Sequence, residues 1–350
     1  MKRIRKEEHI MRKAFTREQT LAAIRREGFS GVPVFQAKWW GEGLREQYGD
    51  KLIPLQEDYP DDLCAFWFRE PGYETSSNGN PEYRMGFLDY SNAERHSIGN
   101  AVVLLPDWDQ LDAFLDHYPS PKEAGIFDGV EDVIKNADGR YKIGCWWRFL
   151  HERLWTIRGM ENLMYDYYDN MDGLKCICEK ILEFDMAIVD ECARLGFDGI
   201  FTSDDLGHQR GPMMSPEIFR ELYLPYYKQF IGYVHSKGMQ MFLHSCGDNT
   251  LLMEDLLEAG LDVFHPVQKG CMDMEETARR FGGRITFLAG LDVQHTLVEA
   301  TPEEVREEVR RMKRIFGSEK GGLLLAMGNG ILSGTPLENI RAALDEMYAE

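Results

Sequence analysis

Eight short apolar runs, each followed by a helix-forming stretch, predict an α/β protein: a TIM-type (β/α)8 barrel with an N-terminal extension and an excursion over the barrel mouth. Two further observations support that class. The helical stretches open on Ser/Thr-Pro pairs or close on glycine, so the apolar runs are cleanly punctuated. No glycine-rich dinucleotide loop follows any run, which disfavours the doubly wound open sheet.

The opening MKRIRKEEHIMRKAFTR alternates bases with acids, and residues 1–30 read as a solvated helical arm. GVPVFQ and LCAFWF are the first two strands. Residues 70–140 break the rhythm with PGYETSSNGNPEYR and YPSPKEAG, and read as an insertion that caps the mouth. Regular alternation starts at YKIGCWW, continues in a long helical region through Leu195, and reaches FDGIFTS. The next helix, SPEIFRELYLPYYKQFIGYVHSKG, has Ser215 as N-cap and Pro216 at its first position. MQMFLHS then leads to NTLLMEDLLEAG, LDVFHPV to MDMEETARRFGG, RITFLAG to TPEEVREEVRRMKRIFG, and GGLLLAM to TPLENIRAALDEMYAE. Residues 1–350 read as a single domain.

Composition excludes several classes of partner. With 40 Lys+Arg against 59 Asp+Glu, the net charge is -19, which argues against nucleic acid and anionic membranes. No apolar stretch has the length of a membrane span or the form of a signal core. Seven irregularly spaced cysteines do not make a disulfide framework, so a cytoplasmic location is expected.

Barrel enzymes collect their active sites at the C-terminal ends of the strands. Here those ends carry Gln36, Trp146, Trp147, Asp204, Asp205, His244, Cys246, His265, Gln268, Asp292 and Asn329. His244 and Cys246, two apart, project to one side if the strand geometry persists, and an imidazole beside a thiol suits zinc. Aromatic side chains also crowd strand ends at Trp39, Trp40, Trp67, Trp146 and Trp147, though adjacent tryptophans place only one ring toward the mouth. His208, His235 and His295 read as surface or packing residues.

The stretches FDGIFTSDDLGHQRGPMMSPEIFREL, FLHSCGD, DVFHPVQ, FLAGLDVQHTL and GNGILSGTPLENIRA resemble, in order, the uroporphyrinogen decarboxylase superfamily. The resemblance runs from VPVFQ to the last helix and implies a TIM-type barrel. True decarboxylases of that superfamily carry an arginine-rich RQAGR after the first strand and a histidine in a later GHG. This chain has QAKWW, keeping Gln36 and Ala37 without the arginines, and GNG with Asn329. The cobalamin-linked methyltransferase branch instead uses His-x-Cys and, often, a later cysteine as zinc ligands. His244 and Cys246 match that motif, but the later cysteine would fall near Asn329, and none follows Cys271. An oxygen ligand from Asp204 or Asp205 would complete the set, as in relatives that demethylate methoxylated compounds.

The resemblance therefore implies a methyltransferase that moves a methyl group from a small donor, such as a methoxylated aromatic, to a corrinoid on a separate protein. Zinc would act as Lewis acid, held by His244, Cys246 and Asp204 or Asp205, with His244, Cys246 and Asp205 as the catalytic group. Gln36, Trp146, Trp147, Gln268, Asp292 and Asn329 are the expected substrate-binding residues, and the expectation extends to a homo-oligomer. No corrinoid-binding D-x-H-x-x-G motif occurs in the chain itself. Two other readings stand beside it. One is a cofactor-free decarboxylase or lyase acting on a small acid through Asp205 or Asp292. The other is a barrel that binds a ligand or partner without catalysis.

Overall fold

The structure, a computed structural model, describes residues 12–36, 40–41, 43–68, 103–121 and 125–349. Seven parallel strands follow one another around the sheet in chain order. They are β1 (Leu63–Trp67), β2 (Tyr141–Trp146), β3 (Gly199–Ser203), β4 (Gln240–His244), β5 (Val263–His265), β6 (Thr286–Leu291) and β7 (Leu323–Met327). Strands β3, β4, β5, β6 and β7 are buried at every residue, which is why they read as unbroken apolar runs.

The eighth run, GVPVFQ, closes the ring without becoming a full strand. Val34 bridges Leu325 in parallel, with Leu325 N–H donating to Pro33 O and Phe35 N–H to Leu325 O, each at 2.9 Å. On the other side, Asp62 N–H donates to Val34 O at 3.0 Å, just before β1. The ladder stays short for a chemical reason. Pro33 has no N–H to give, and two carboxylates take the donors that β1 would otherwise receive. Val34 N–H goes to Asp62 Oδ2 at 2.7 Å and Gln36 N–H to Asp61 Oδ1 at 2.6 Å.

Inside the ring, Phe35, Ile143, Phe201, Phe242, Leu288 and Leu324 form a packed interior, separate from the larger core between sheet and helices. The N-terminal face is closed by the helix Arg17–Arg25, which starts in a Thr16/Gln19 capping box and buries Thr20, Ala23 and Ile24. Arg17 Nε reaches Asp198 Oδ1 at 2.6 Å, and Thr286 Oγ1 donates to Ile24 O at 2.6 Å. The described part of the expected solvated arm is thus a plug under the barrel; residues 1–11 lie outside the described residues.

Of the expected excursion, residues 70–102 and 122–124 lie outside the described residues, and the remainder packs on the barrel's flank. There Arg158, buried, pairs with Asp166 at 2.7 Å and lies 4.1 Å from the ring centre of Trp108, whose Nε1 donates to Asp166 at 2.8 Å. Among the described residues, no helix is long and apolar enough to cross a membrane.

Asp62 is the closure's anchor. Fully buried, it accepts Val34 N–H, Phe15 N–H at 2.6 Å and two bonds from Arg12 at 2.6 and 3.1 Å. Asp62→Ala would strand those donors, and a loss of about 2–5 kcal/mol is expected in urea unfolding. A loss below about 1 kcal/mol would show that the eighth segment is held by other means.

Candidate metal centre

His244 ends β4, and in the sheet register it lies beside Ser203 of β3 and His265 of β5. Both histidines point into the barrel, with ring centres 4.9 Å apart and Nδ1 atoms 2.7 Å apart. The far nitrogen of His265, Nε2, is 3.0 Å from Met327 O at the end of β7. A carbonyl only accepts, so His265 Nε2 carries the proton. Burial lowers the proton affinity of both rings, of His265 far below that of an ordinary histidine, so both are neutral. His265 Nδ1 is then bare, His244 Nδ1–H donates to it, and His244 Nε2 presents a lone pair. The tautomers follow from the hydrogen-bond chain.

That lone pair faces Cys246 Sγ at 3.3 Å and Asp205 Oδ1 at 3.5 Å. Cys246 N–H donates to the same Asp205 oxygen at 2.7 Å, fixing the carboxylate against the loop. Burial, then the charges of Asp205 and Glu152, push the Cys246 thiol far up. Without a cation the site holds a thiol whose S–H points at His244 Nε2. A divalent ion would take that proton's place.

The donor set fits zinc. One nitrogen, one sulfur and one oxygen atom lie within 4.8 Å of one another. Zinc bonds of about 2.0–2.3 Å in a tetrahedron separate ligands by roughly 3.4–3.6 Å, near the two spacings found here. Three protein ligands leave a fourth position open, the arrangement of catalytic rather than structural zinc.

Beside the triad, Cys246 and Asn329 line a cavity of ≈ 660 Å³ together with Gln268, Lys269 and Asp292. Its walls come from loops in backbone contact: a Cβ on Gly247, whose φ is +82°, would lie 2.2 Å from the carbonyl carbon of Gly207. Gln268 follows Val267, a β-branched residue held at φ 57°, and that turn aims Gln268 Oε1 at Gly247 N–H at 2.7 Å. Asn329 Nδ2 lies 3.8 Å from Cys246 Sγ. Burial raises the carboxyl of Asp292, but N–H donors from Gln294, His295 and Thr296 outweigh it and hold it below the ordinary range.

Strand alternation separates the remaining expected residues. Asp204, fully buried, turns to the outer layer and accepts from Glu152 N–H at 2.8 Å and Tyr227 O–H at 2.6 Å. Burial lifts its carboxyl to about 7, and it does not reach the triad. Asp205, the next residue, faces inward and does. Trp146 is buried outside the ring, 5.9 Å from Phe68 and 6.2 Å from Phe230 between ring centres. Trp147 faces the mouth, stacked on Trp67 at 4.7 Å and edge-on to His244 at 5.9 Å. Gln36 is spent on structure, its Nε2 donating to Tyr59 O and Tyr348 O–H, each at 3.0 Å. Trp39 and Ala37 lie outside the described residues. Two residues given no role in the sequence do line the cavity, His208 and Cys271. The part played by His265 was readable in principle, since FLHS and DVFHPV end their strands on histidines at one level.

The family model described as uroporphyrinogen decarboxylase (URO-D) matches residues 155–349, a span that contains Asp205, His244, Cys246 and Asn329. The chain is 28% identical over 167 residues to a methylcobamide:CoM methyltransferase MtaA of Methanosarcina barkeri, covering 47% of this chain and 46% of that protein. It is 24% identical over 186 residues to a methylated-thiol–coenzyme M methyltransferase of Methanosarcina mazei, covering 53% and 47%. The chain thus spans about half the length of the curated relatives it matches. A solved structure of a methyltransferase from Methanosarcina mazei superposes with a TM-score of 0.65 over 96% of this chain and 100% of the other, at 17% identity, which shows a common fold. With more than half its length matched in one continuous stretch, the chain belongs to the uroporphyrinogen decarboxylase family.

Proposed function

We propose that this chain is a methyltransferase that moves a methyl group from a small methoxylated donor to a corrinoid carried by a separate protein. The observation that carries the reading is the convergence of His244 Nε2, Cys246 Sγ and Asp205 beside a cavity that Cys246 itself lines. The similarity to named methyltransferases supports the same reaction class. In the reaction, the donor's methyl–oxygen bond breaks as a methyl–cobalt bond forms, and the departing oxygen takes a proton.

Zinc, when bound, supplies Lewis acidity toward that departing oxygen, which otherwise leaves as a costly anion. His265 and Met327 O keep the His244 lone pair aimed at the metal position. Asn329 approaches Cys246 with its amide N–H, tempering the sulfur's charge. Gln268 and the N–H-capped Asp292 line the space where the donor's polar groups fall. Trp147, stacked on Trp67 and edge-on to His244, packs the apolar side of the imidazole.

Protein purified without a metal-binding tag is expected to hold about one zinc per chain. His244→Ala, Cys246→Ser and Asp205→Ala should each lose most of it, whereas Asp204→Asn should keep it. Full retention in the first three would remove the site. His265→Leu should bind the same stoichiometric zinc about 10–100-fold more weakly in chelator competition; unchanged affinity would deny the relay its role.

Zinc affinity should fall as pH is lowered, because the raised Cys246 thiol must release its proton for the metal. A flat profile between pH 6 and 8, on the order of the physiological range, would show that the sulfur is not a ligand. With reduced corrinoid protein and a panel of methyl donors, methyl–cobalt formation followed spectroscopically should favour methoxylated compounds. Loss of a ligand should depress kcat far more than it changes KM, since the stabilised charge exists only in the transition state. Carbon dioxide release from a carboxylic acid, with no methyl transfer, would replace this reading by decarboxylation.

A further inference from the structure

Among the described residues that line the cavity beside Cys246, Lys269 supplies the one ammonium or guanidinium group. That group is already engaged. Its Nζ lies 2.8 Å from Glu308 Oε1 and donates to Thr296 Oγ1 at 2.9 Å. Glu308 projects from the outer helix Pro302–Phe316 with its side chain 12% exposed, while that of Lys269 is 37% exposed, so solvent screens the pair from the lysine's side only. Arg311 also lies 3.6 Å from the other oxygen of Glu308 but is taken up by Glu275 at 2.7 Å, so Lys269 and Glu308 cancel. Asp292, held ionised by three N–H donors, remains as a negative charge on the same wall. A divalent ion with one thiolate and one carboxylate adds no net charge. The described wall is negative overall.

We propose that the Lys269–Glu308 pair determines substrate charge: Glu308 withholds the cation that a carboxylate or sulfonate would need, so the cavity accepts a neutral or cationic small molecule in preference to an anionic one. This rests on the reading of the site as an open metal centre that binds a small methyl-transfer substrate. A donor whose charge repels Asp292 would also face an unpaired desolvation cost in the cavity.

The test uses the full chain loaded with cobalt(II) in place of zinc, and three thiols of equal length: 2-mercaptoethanesulfonate, 2-mercaptoethanol and 2-aminoethanethiol. Each is titrated while the thiolate-to-cobalt charge-transfer band is followed, with affinities corrected for the thiol's own ionisation. The neutral and cationic thiols should bind roughly tenfold tighter than the sulfonate. Glu308→Gln should raise sulfonate affinity by about the same factor, and adding Lys269→Met should cancel the gain. Sulfonate binding as tight as mercaptoethanol in the unmodified protein overturns the inference without any variant. So does a folded Glu308→Gln protein with unchanged sulfonate affinity. A cobalt spectrum that no thiol perturbs removes the open metal site itself, and the charge inference with it.

Discussion

A carbonyl that can only accept, Met327 O, governs the chemistry of this barrel mouth. It fixes the proton on His265, which fixes the proton on His244, which leaves one lone pair aimed at Cys246 and Asp205. The chain of bonds crosses from β7 to β5 to β4, so it exists only if those strands stop at matching levels. Burial strengthens it twice over. It keeps both rings neutral, and it makes any misdirected donor expensive. The same strand levels put Asp205 at the end of β3, where the ladder continues as Asp204 N–H donates to His244 O at 2.8 Å.

Much of this was legible in the residues. Unbroken apolar runs between glycine-stopped helices point to the parallel barrel, and the His-x-Cys spacing to the closeness of His244 and Cys246, because a strand end places i and i+2 on one side. What the pattern left ambiguous was which neighbour turns inward. Asp204 and Asp205 are equivalent in composition, as are Trp146 and Trp147, and only the strand's phase sends the second of each pair to the mouth. Gln36 is drawn into structural bonds for a different reason. The first run does not pair as a full strand, because Asp61 and Asp62 take its N–H groups, and its glutamine bonds Tyr348 in the last helix instead. The plug helix hid behind its charge. Arg17 and Arg12 look solvated in sequence, yet each ends on an aspartate from a distant part of the chain.

Asn329 shows how the centre departs from a sulfur-rich one. It stands at the cavity edge with its amide toward Cys246, so the position offers a hydrogen-bond donor near the sulfur rather than a second sulfur. The set of one nitrogen, one sulfur and one oxygen is harder than one with two thiolates. A cation held there would be more electrophilic than one on two thiolates, which would suit the weak alkoxide or phenoxide leaving group of the proposed reaction.

If one imidazole, one thiolate and one carboxylate meet at an open metal position, X-ray absorption at the zinc edge of the loaded protein will show it most directly. Zinc there should have one sulfur at about 2.3 Å, with the remaining neighbours nitrogen or oxygen at about 2.0–2.2 Å. Cys246→Ser reloaded with added zinc should show no sulfur shell and keep the imidazole signature. Two sulfurs, or none, in the unmodified protein would contradict it.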